Sequence, residues 1–228
     1  MILAALETSA DWCSVAISID GEIAALEQRA GQRQAELALP MLGQLLAQAG
    51  IAAGRLDAVA FGAGPGSFTG LRIACGLAQG IAFALELPVI GVSTLEALAE
   101  ESGAARVVAC IDARMREVYY ACLERDGALW REVLAARCVA PQSVPVPPGA
   151  GWTGCGNGFA AYPQALARTA QRVLPDVHAS ALAVARLAAP RLAAGEGVDA
   201  ALAVPVYLRD KVALTSRERE QAAAAEKR

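Results

Sequence analysis

Between the apolar run Leu56 to Phe61 and a second apolar run that begins at Leu71 lies Gly62-Ala63-Gly64-Pro65-Gly66-Ser67-Phe68-Thr69-Gly70. Four glycines and a proline here demand a sharp turn in which the backbone approaches another group closely. Ser67 or Thr69 is placed to cap a helix starting near Leu71, whose free N–H groups form a positive end. The segment is therefore a strand, a tight loop and a helix, and the loop admits three readings: a phosphate cradle, a structural turn, or part of a protein–protein surface. Its glycines at x+2 spacing, with no following lysine, match neither common phosphate-loop pattern. Proline fixes its own φ and removes a donor, which points to a rigid turn. Spacing favours the turn and leaves the other two open.

The flanking patterns predict strands over Ile2–Leu6, Ser14–Ile19 and Glu22–Gln28, a helix over Ala35–Ala49 closed by Gly50, and a strand over Leu56–Phe61. A helix over Leu71–Leu85, a short strand over Pro88–Gly91 and a helix capped by Ser93 or Thr94 and running through Glu100 follow. The order β-β-β-α-β-α-β-α is an α/β arrangement with a mixed sheet. Near Ser102 to Arg106 the pattern restarts with strands over Val107–Ile111, Val118–Glu124 and Leu129–Leu134. A proline-rich connection (Pro141 to Pro148), the glycine-rich stretch Gly151 to Gly158, a helix over Ser180–Ala194 and the run Val204–Leu208 complete it. Two units that each open with three strands point to an internal duplication. The division expected is residues 1–103, residues 104–215, and a charged tail, 216–228, that frays.

The chain has 228 residues, 55% of them apolar, with a net charge of −3 and a mean hydropathy of +0.38. The longest apolar candidate, Ile73 to Leu85, is bounded by Arg72 and Glu86 and suits a buried helix better than a membrane span. Met1 to Leu6 has no basic flank, so no signal peptide is expected. The acidic balance, with Lys211 and Lys227 the only lysines, argues against a chain that grips nucleic acid alone. Six cysteines without a C-x-x-C pair and a single histidine make a zinc site improbable and suit reduced thiols in a cytoplasmic protein. His178 is expected to be a solvated imidazole, Asp112 and Arg114 a structural pair at a strand end, and Trp152 a packing anchor.

The helices predicted over Ala35–Ala49 and Leu71–Leu85 are apolar nearly all round, where a helix covering one sheet face needs a single stripe. Leu37, Leu39, Met41, Leu42, Leu45 and Leu46 lie on one; Leu71, Ile73, Leu77, Ile81, Phe83 and Leu85 lie on the other. The small residues Ala74, Gly76, Ala78 and Gly80 would let another helix approach. Either the core buries these helices on both sides, or a partner chain covers the excess.

Five stretches bring a family into view. They are Leu6-Glu7-Thr8-Ser9, Gly64-Pro65-Gly66-Ser67-Phe68-Thr69-Gly70-Leu71-Arg72-Ile73, Gly91-Val92-Ser93-Thr94-Leu95, Ile111-Asp112-Ala113-Arg114-Met115 with Glu117-Val118-Tyr119, and Pro205-Val206-Tyr207-Leu208-Arg209. In this order, over nearly the whole chain, they resemble the bacterial TsaB (YeaZ) family. The resemblance implies two subdomains of the actin/Hsp70/sugar-kinase (ASKHA, ribonuclease H-like) type, with mixed sheets flanked by helices. It implies a non-catalytic scaffold or activator of the complex that forms threonylcarbamoyladenosine at position 37 of tRNAs reading ANN codons. The implied partners are a TsaD-like catalytic paralogue and a TsaE-like ATPase, with a homodimer when the chain is alone and tRNA reached only through the complex. No cofactor, metal or membrane is implied.

The resemblance places Leu37, Met41, Leu45, Ile73, Leu77 and Ile81 at the partner interface and Glu7, Thr8 and Ser9 at a vestigial phosphate site. Glutamate in place of the more usual aspartate lengthens the side chain by one methylene, which counts against tight metal–phosphate geometry. The H-x-x-x-H metal motif of TsaD aligns, from Val92, with Thr94 and Leu98, which cannot ligate a transition metal. A charge at Leu45 or Ile81 is expected to abolish pairing and spare the fold. The alternatives are an ATP-dependent phosphotransferase of the sugar- or acetate-kinase type, using Glu7, Thr8 and the Gly154–Gly158 loop, and an independent tRNA-binding protein.

Overall fold

Strand β1 (Ile2–Glu7) alternates so strictly between two buried faces that it must run through the centre of a sheet. Leu3 and Ala5 face one core, Ala4 and Leu6 the other. A computed structural model describes residues 1–209; the tail expected to fray, 216–228, lies outside the described residues. β1 pairs antiparallel with β2 (Trp12–Ile19), which pairs antiparallel with the largely exposed β3 (Glu22–Arg29). On its other side β1 runs parallel to β4 (Ala58–Gly64), which runs parallel to β5 (Val89–Ser93). The sheet order is β3-β2-β1-β4-β5.

The second sheet repeats this plan. β6 (Arg106–Arg114) pairs antiparallel with β7 (Glu117–Asp126) and β7 with β8 (Leu129–Val139). β9 (Thr153–Cys155) runs parallel to β6, and β10 (Arg172–Leu174) parallel to β9. Read from β8 the order is β8-β7-β6-β9-β10, with the same directions as β3-β2-β1-β4-β5. The duplication expected from the restart near residue 102 is therefore a duplication of topology. β10, a three-residue strand, has no counterpart among the predicted elements, because periodicity cannot register so short a run.

Helices α1 (Gln34–Gln48) and α2 (Phe68–Leu85) cover one face of the first sheet. α3 (Thr94–Glu101) and α6 (Ala181–Ala193) fill the space between the sheets and pack on each other. Ser67, Ser93 and Ser180 cap α2, α3 and α6, each accepting a hydrogen bond from the N–H three residues on. Among the described residues, the outer face of the second sheet is covered by the short helices α4 (Asn157–Ala161) and α5 (Pro163–Leu166) and the proline-rich connection. There Trp152 is 2% exposed and its indole N–H donates to the Pro148 carbonyl at 2.9 Å, so it anchors the packing as expected.

α2 has 18 residues, and is long and apolar enough by length and composition to cross a membrane. One of its faces, Ala74, Cys75, Ala78 and Ala82, is embedded in the first sheet's core, in keeping with the buried helix expected. One expectation needs correction. His178 is half-buried and not a free surface imidazole: its ring stacks on Trp12 with centroids 4.6 Å apart and planes 4° apart, and its Nε2 lies 3.2 Å from Glu27. The loop between β10 and α6 lays it there, which no local pattern around residue 178 reveals. Five of the six cysteines are buried, and burial pushes the Cys13 thiol up to about 11 and the Cys110 and Cys122 thiols up to about 12.

Candidate functional site: a closed glycine loop and an open helix face

At the end of β1 the chain turns through Glu7, Thr8 and Ser9, all less than 5% exposed. The glycine loop wraps these three residues. A Cβ on Gly62 would collide with the Glu7 carboxylate, one on Gly70 with the Thr8 carbonyl, and one on Gly66 would lie 2.7 Å from the Ser9 Cβ. The Thr8 hydroxyl donates to the Gly70 carbonyl at 2.8 Å, and the Ser67 N–H donates to the Ser9 carbonyl at 2.8 Å. Gly64, at φ +117, precedes a cis Pro65 and passes so close to Val206 that an added Cβ would meet that carbonyl at 2.7 Å. Of the three readings of the loop, the structural turn accounts for these glycines: each makes room for a neighbouring segment of the same chain.

The Glu7 carboxylate accepts from the Ser9 N–H at 2.6 Å and from the Thr94 hydroxyl at 3.5 Å. Burial raises its pKa above the ordinary carboxylate value, and the Ser9 and Thr94 hydrogen bonds only partly offset this. Thr94 and Leu98 are each 1% exposed; Leu98 lies in the core shared by the two sheets. A cavity of about 440 Å³ does exist between β3, the end of α3 and the loop into α6, lined by Glu27, Glu101, Asp176 and His178. Glu7, Thr8 and Ser9 are not among its walls. Asp112 and Arg114 do form an ion pair, at 3.5 Å, at the end of β6.

The residues predicted for the partner interface divide into two groups. Met41 and Leu45 are 8% and 2% exposed and pack with Ala38, Leu42 and Leu46 in the first sheet's core. α1 is therefore an ordinary amphipathic helix with Glu36, Gln44 and Gln48 outside, and not apolar all round. A charge at Leu45 would break the fold before it tested any pairing. Leu37, Ile73, Leu77 and Ile81 are half-buried and reach the surface, beside Leu39 at 46% and Phe83 at 81% exposure. Gly76 and Gly80 face open space. Sequence reasoning undervalued Phe83, whose signal was an aromatic ring on the helix side opposite the small buried alanines.

Comparison with known proteins agrees with this architecture. A family model described as TsaD, tRNA N6-adenosine threonylcarbamoyltransferase, matches residues 27–216. The chain is 36% identical to the tRNA threonylcarbamoyladenosine biosynthesis protein TsaB of Haemophilus influenzae, over 93% of this chain and 95% of that one. It is 37% identical to the protein of the same description from Escherichia coli K12, over 93% and 96%. The solved structure of YeaZ from Pseudomonas aeruginosa superposes with a TM-score of 0.87 at 41% identity, over 91% of this chain and 99% of that one. The two mixed sheets flanked by helices are of the ASKHA type. With likeness of this strength across both sheets and the loop that joins them, the chain belongs to the TsaB (YeaZ) family of tRNA threonylcarbamoyladenosine biosynthesis proteins.

Proposed function

We propose that this chain is the non-catalytic scaffold of a threonylcarbamoyladenosine-forming complex, and that it binds a TsaD-like catalytic paralogue through the outer face of α2 and the edge of α1. The observation that carries the proposal is the contrast within α2. Its inner face is made of buried small residues, while Ile73, Leu77, Ile81 and the protruding Phe83 remain at the surface beside two glycines with nothing above them. Such a face lets a second helix approach to short distance and bury apolar area that the monomer leaves wet. The same face serves a self-dimer when the paralogue is absent, and a TsaE-like ATPase joins the assembled pair in the cytoplasm.

The chemistry at the end of β1 supports a non-catalytic role. Glu7 is spent on Ser9 and Thr94, and the positions aligned with the paralogue's metal ligands are buried threonine and leucine. Residues 1–103 then present the pairing face, and the described residues from 104 to 209 complete the body, with α6 returning to cover the first sheet. Size-exclusion chromatography with light scattering, on the chain alone and with the paralogue, tests the reading. Wild type should exchange from a dimer into a one-to-one complex. Ile81→Asp and Phe83→Asp should remain folded by circular dichroism and fail to pair; pairing retained in both would remove this face from consideration.

A further inference from the structure

Three of the five family-like stretches, far apart in the chain, meet on one surface outside the helix face just described. They are the start of α2, the turn between β6 and β7, and residues 204–209 after α6. The Val206 N–H donates to the Ala63 carbonyl at 2.7 Å, which seats this last segment across the glycine loop. The Tyr207 hydroxyl accepts from Arg72 Nε at 3.1 Å, and the Tyr207 and Phe68 ring centroids lie 5.6 Å apart. The Arg72 guanidinium lies 3.9 Å over the Phe68 ring. Two residues on, Arg209 donates to Glu117 at 2.6 Å and to the Arg114 carbonyl at 3.4 Å. The turn it holds, Arg114-Met115-Arg116, has positive φ at all three residues and projects them outward, with the Arg114 side chain 81% exposed.

One guanidinium, that of Arg72, thus lies against the rings of Phe68 and Tyr207, which are 42% and 45% exposed, and Arg209, two residues after Tyr207, ties the Arg114–Arg116 turn to the same segment. The carboxylates that pair with the cluster are Asp112, with Arg114, and Glu117, with Arg209. Arg72 and Arg116 have no ion-pair partner among the described residues. A net charge of −3 for the whole chain conceals this local excess of positive charge. Clustered guanidinium groups select phosphate or carboxylate, and exposed rings beside them add a surface on which an unpaired base can stack. An acidic peptide would use the arginines and leave the rings idle.

We infer that this surface contacts RNA directly, with phosphates on Arg72, Arg114 and Arg116 and an unpaired base against Tyr207 or Phe68. The inference rests on the proposed role in a tRNA-modifying complex and adds a contact made by this chain itself. The test titrates an in vitro transcribed tRNA that reads an ANN codon into the full-length chain paired with its paralogue, and in parallel into the chain alone. The double variant Arg72→Gln/Arg116→Glu should weaken binding about tenfold and lower the slope of log affinity on log salt by about 2. Ultraviolet cross-links in the wild type should fall on Tyr207 or Phe68, and Tyr207→Ala should reduce them while pairing, read by light scattering on the same samples, persists.

Unchanged affinity and salt slope in the double variant would overturn the inference. So would loss of polyglutamate binding in that variant with tRNA binding intact, which would reassign the surface to an acidic protein segment. If the wild-type chain does not pair with the paralogue at all, the scaffold reading fails. The chain-alone cross-links then decide: adducts on Tyr207 or Phe68 support the RNA surface, and adducts elsewhere or none overturn it.

Discussion

The two sheets share one topology and differ in what lies over their outer faces. Over the first sheet lie helices of 15 and 18 residues, the second of which still shows Ile73, Leu77, Ile81 and Phe83 to solvent. Over the second lie helices of five and four residues and a proline-rich connection, and these seal Val108, Tyr120, Cys122, Trp152, Phe159 and Leu166 completely enough to form a closed core. A duplicated sheet can therefore carry a closed outer core in one copy and an outer helix face with exposed apolar side chains in the other. What distinguishes them is the length and outward chemistry of the covering helices, since the strand order is the same.

The largest effects should separate the cores from the open face. Leu45→Glu buries an unpaired carboxylate beneath α1, and Trp152→Ala empties the second sheet's outer core; each should cost about 4 kcal/mol or more in chemical denaturation. If Leu45→Glu instead stayed fully folded and only lost pairing, α1 would belong to the open face after all. Next in size is a pair of identical substitutions. Gly62→Ala drives a methyl into the Glu7 carboxylate and should destabilise by about 3 kcal/mol, whereas Gly80→Ala meets open space and should stabilise by up to about 1 kcal/mol. Gly80→Ala should nevertheless weaken pairing, because the added methyl stands where a partner helix would approach; equal pairing would argue for a looser contact.

A smaller effect distinguishes the end of β1 from its surroundings by pH. Because the folded pKa of Glu7 is raised, the folded state holds its proton more tightly than the unfolded state. That contribution is complete below the ordinary carboxylate pKa and is lost as pH rises from there through the raised folded value. Glu7→Gln removes the titration, so its melting temperature relative to wild type should climb over that window; parallel curves would mean that Glu7 is ionised without penalty. The smallest expected effect concerns the thiols. Ellman's reagent on the native protein should label the half-buried Cys138 and spare the other five until denaturant is added. Early reaction of Cys110 or Cys122 would show that the short outer helices of the second sheet open more readily than their packing implies.

Much of the fold was legible in the residues. Three serine caps, Gly50 and Gly127 with positive φ at element ends, and the runs of alternating burial placed most long strands and helices within two or three residues of where they lie. β8 continues five residues beyond the predicted Leu134 because register shifts against β7 blur its alternation. The site was less legible. Met41, Leu45, Leu77 and Ile81 look alike as letters, since hydrophobicity reports that a residue avoids water and not which chain removes the water. In the folded chain Leu77 and Ile81 stay half-buried while Met41 and Leu45 do not.

The sequence by itself determined the class of fold, the doubling of the three-strand opening and the stiff turn at Gly62 to Gly70, because these follow from local propensity, periodicity and the freedom of glycine. Only the tertiary structure decided that the glycines close around Glu7, Thr8 and Ser9, that His178 rests on Trp12, and that the segment holding Tyr207 and Arg209 meets Arg72 and the Arg114 turn. Those outcomes depend on pairs distant in sequence. Their energies arise from burial and from charges brought within a few ångströms, which no local window of residues contains.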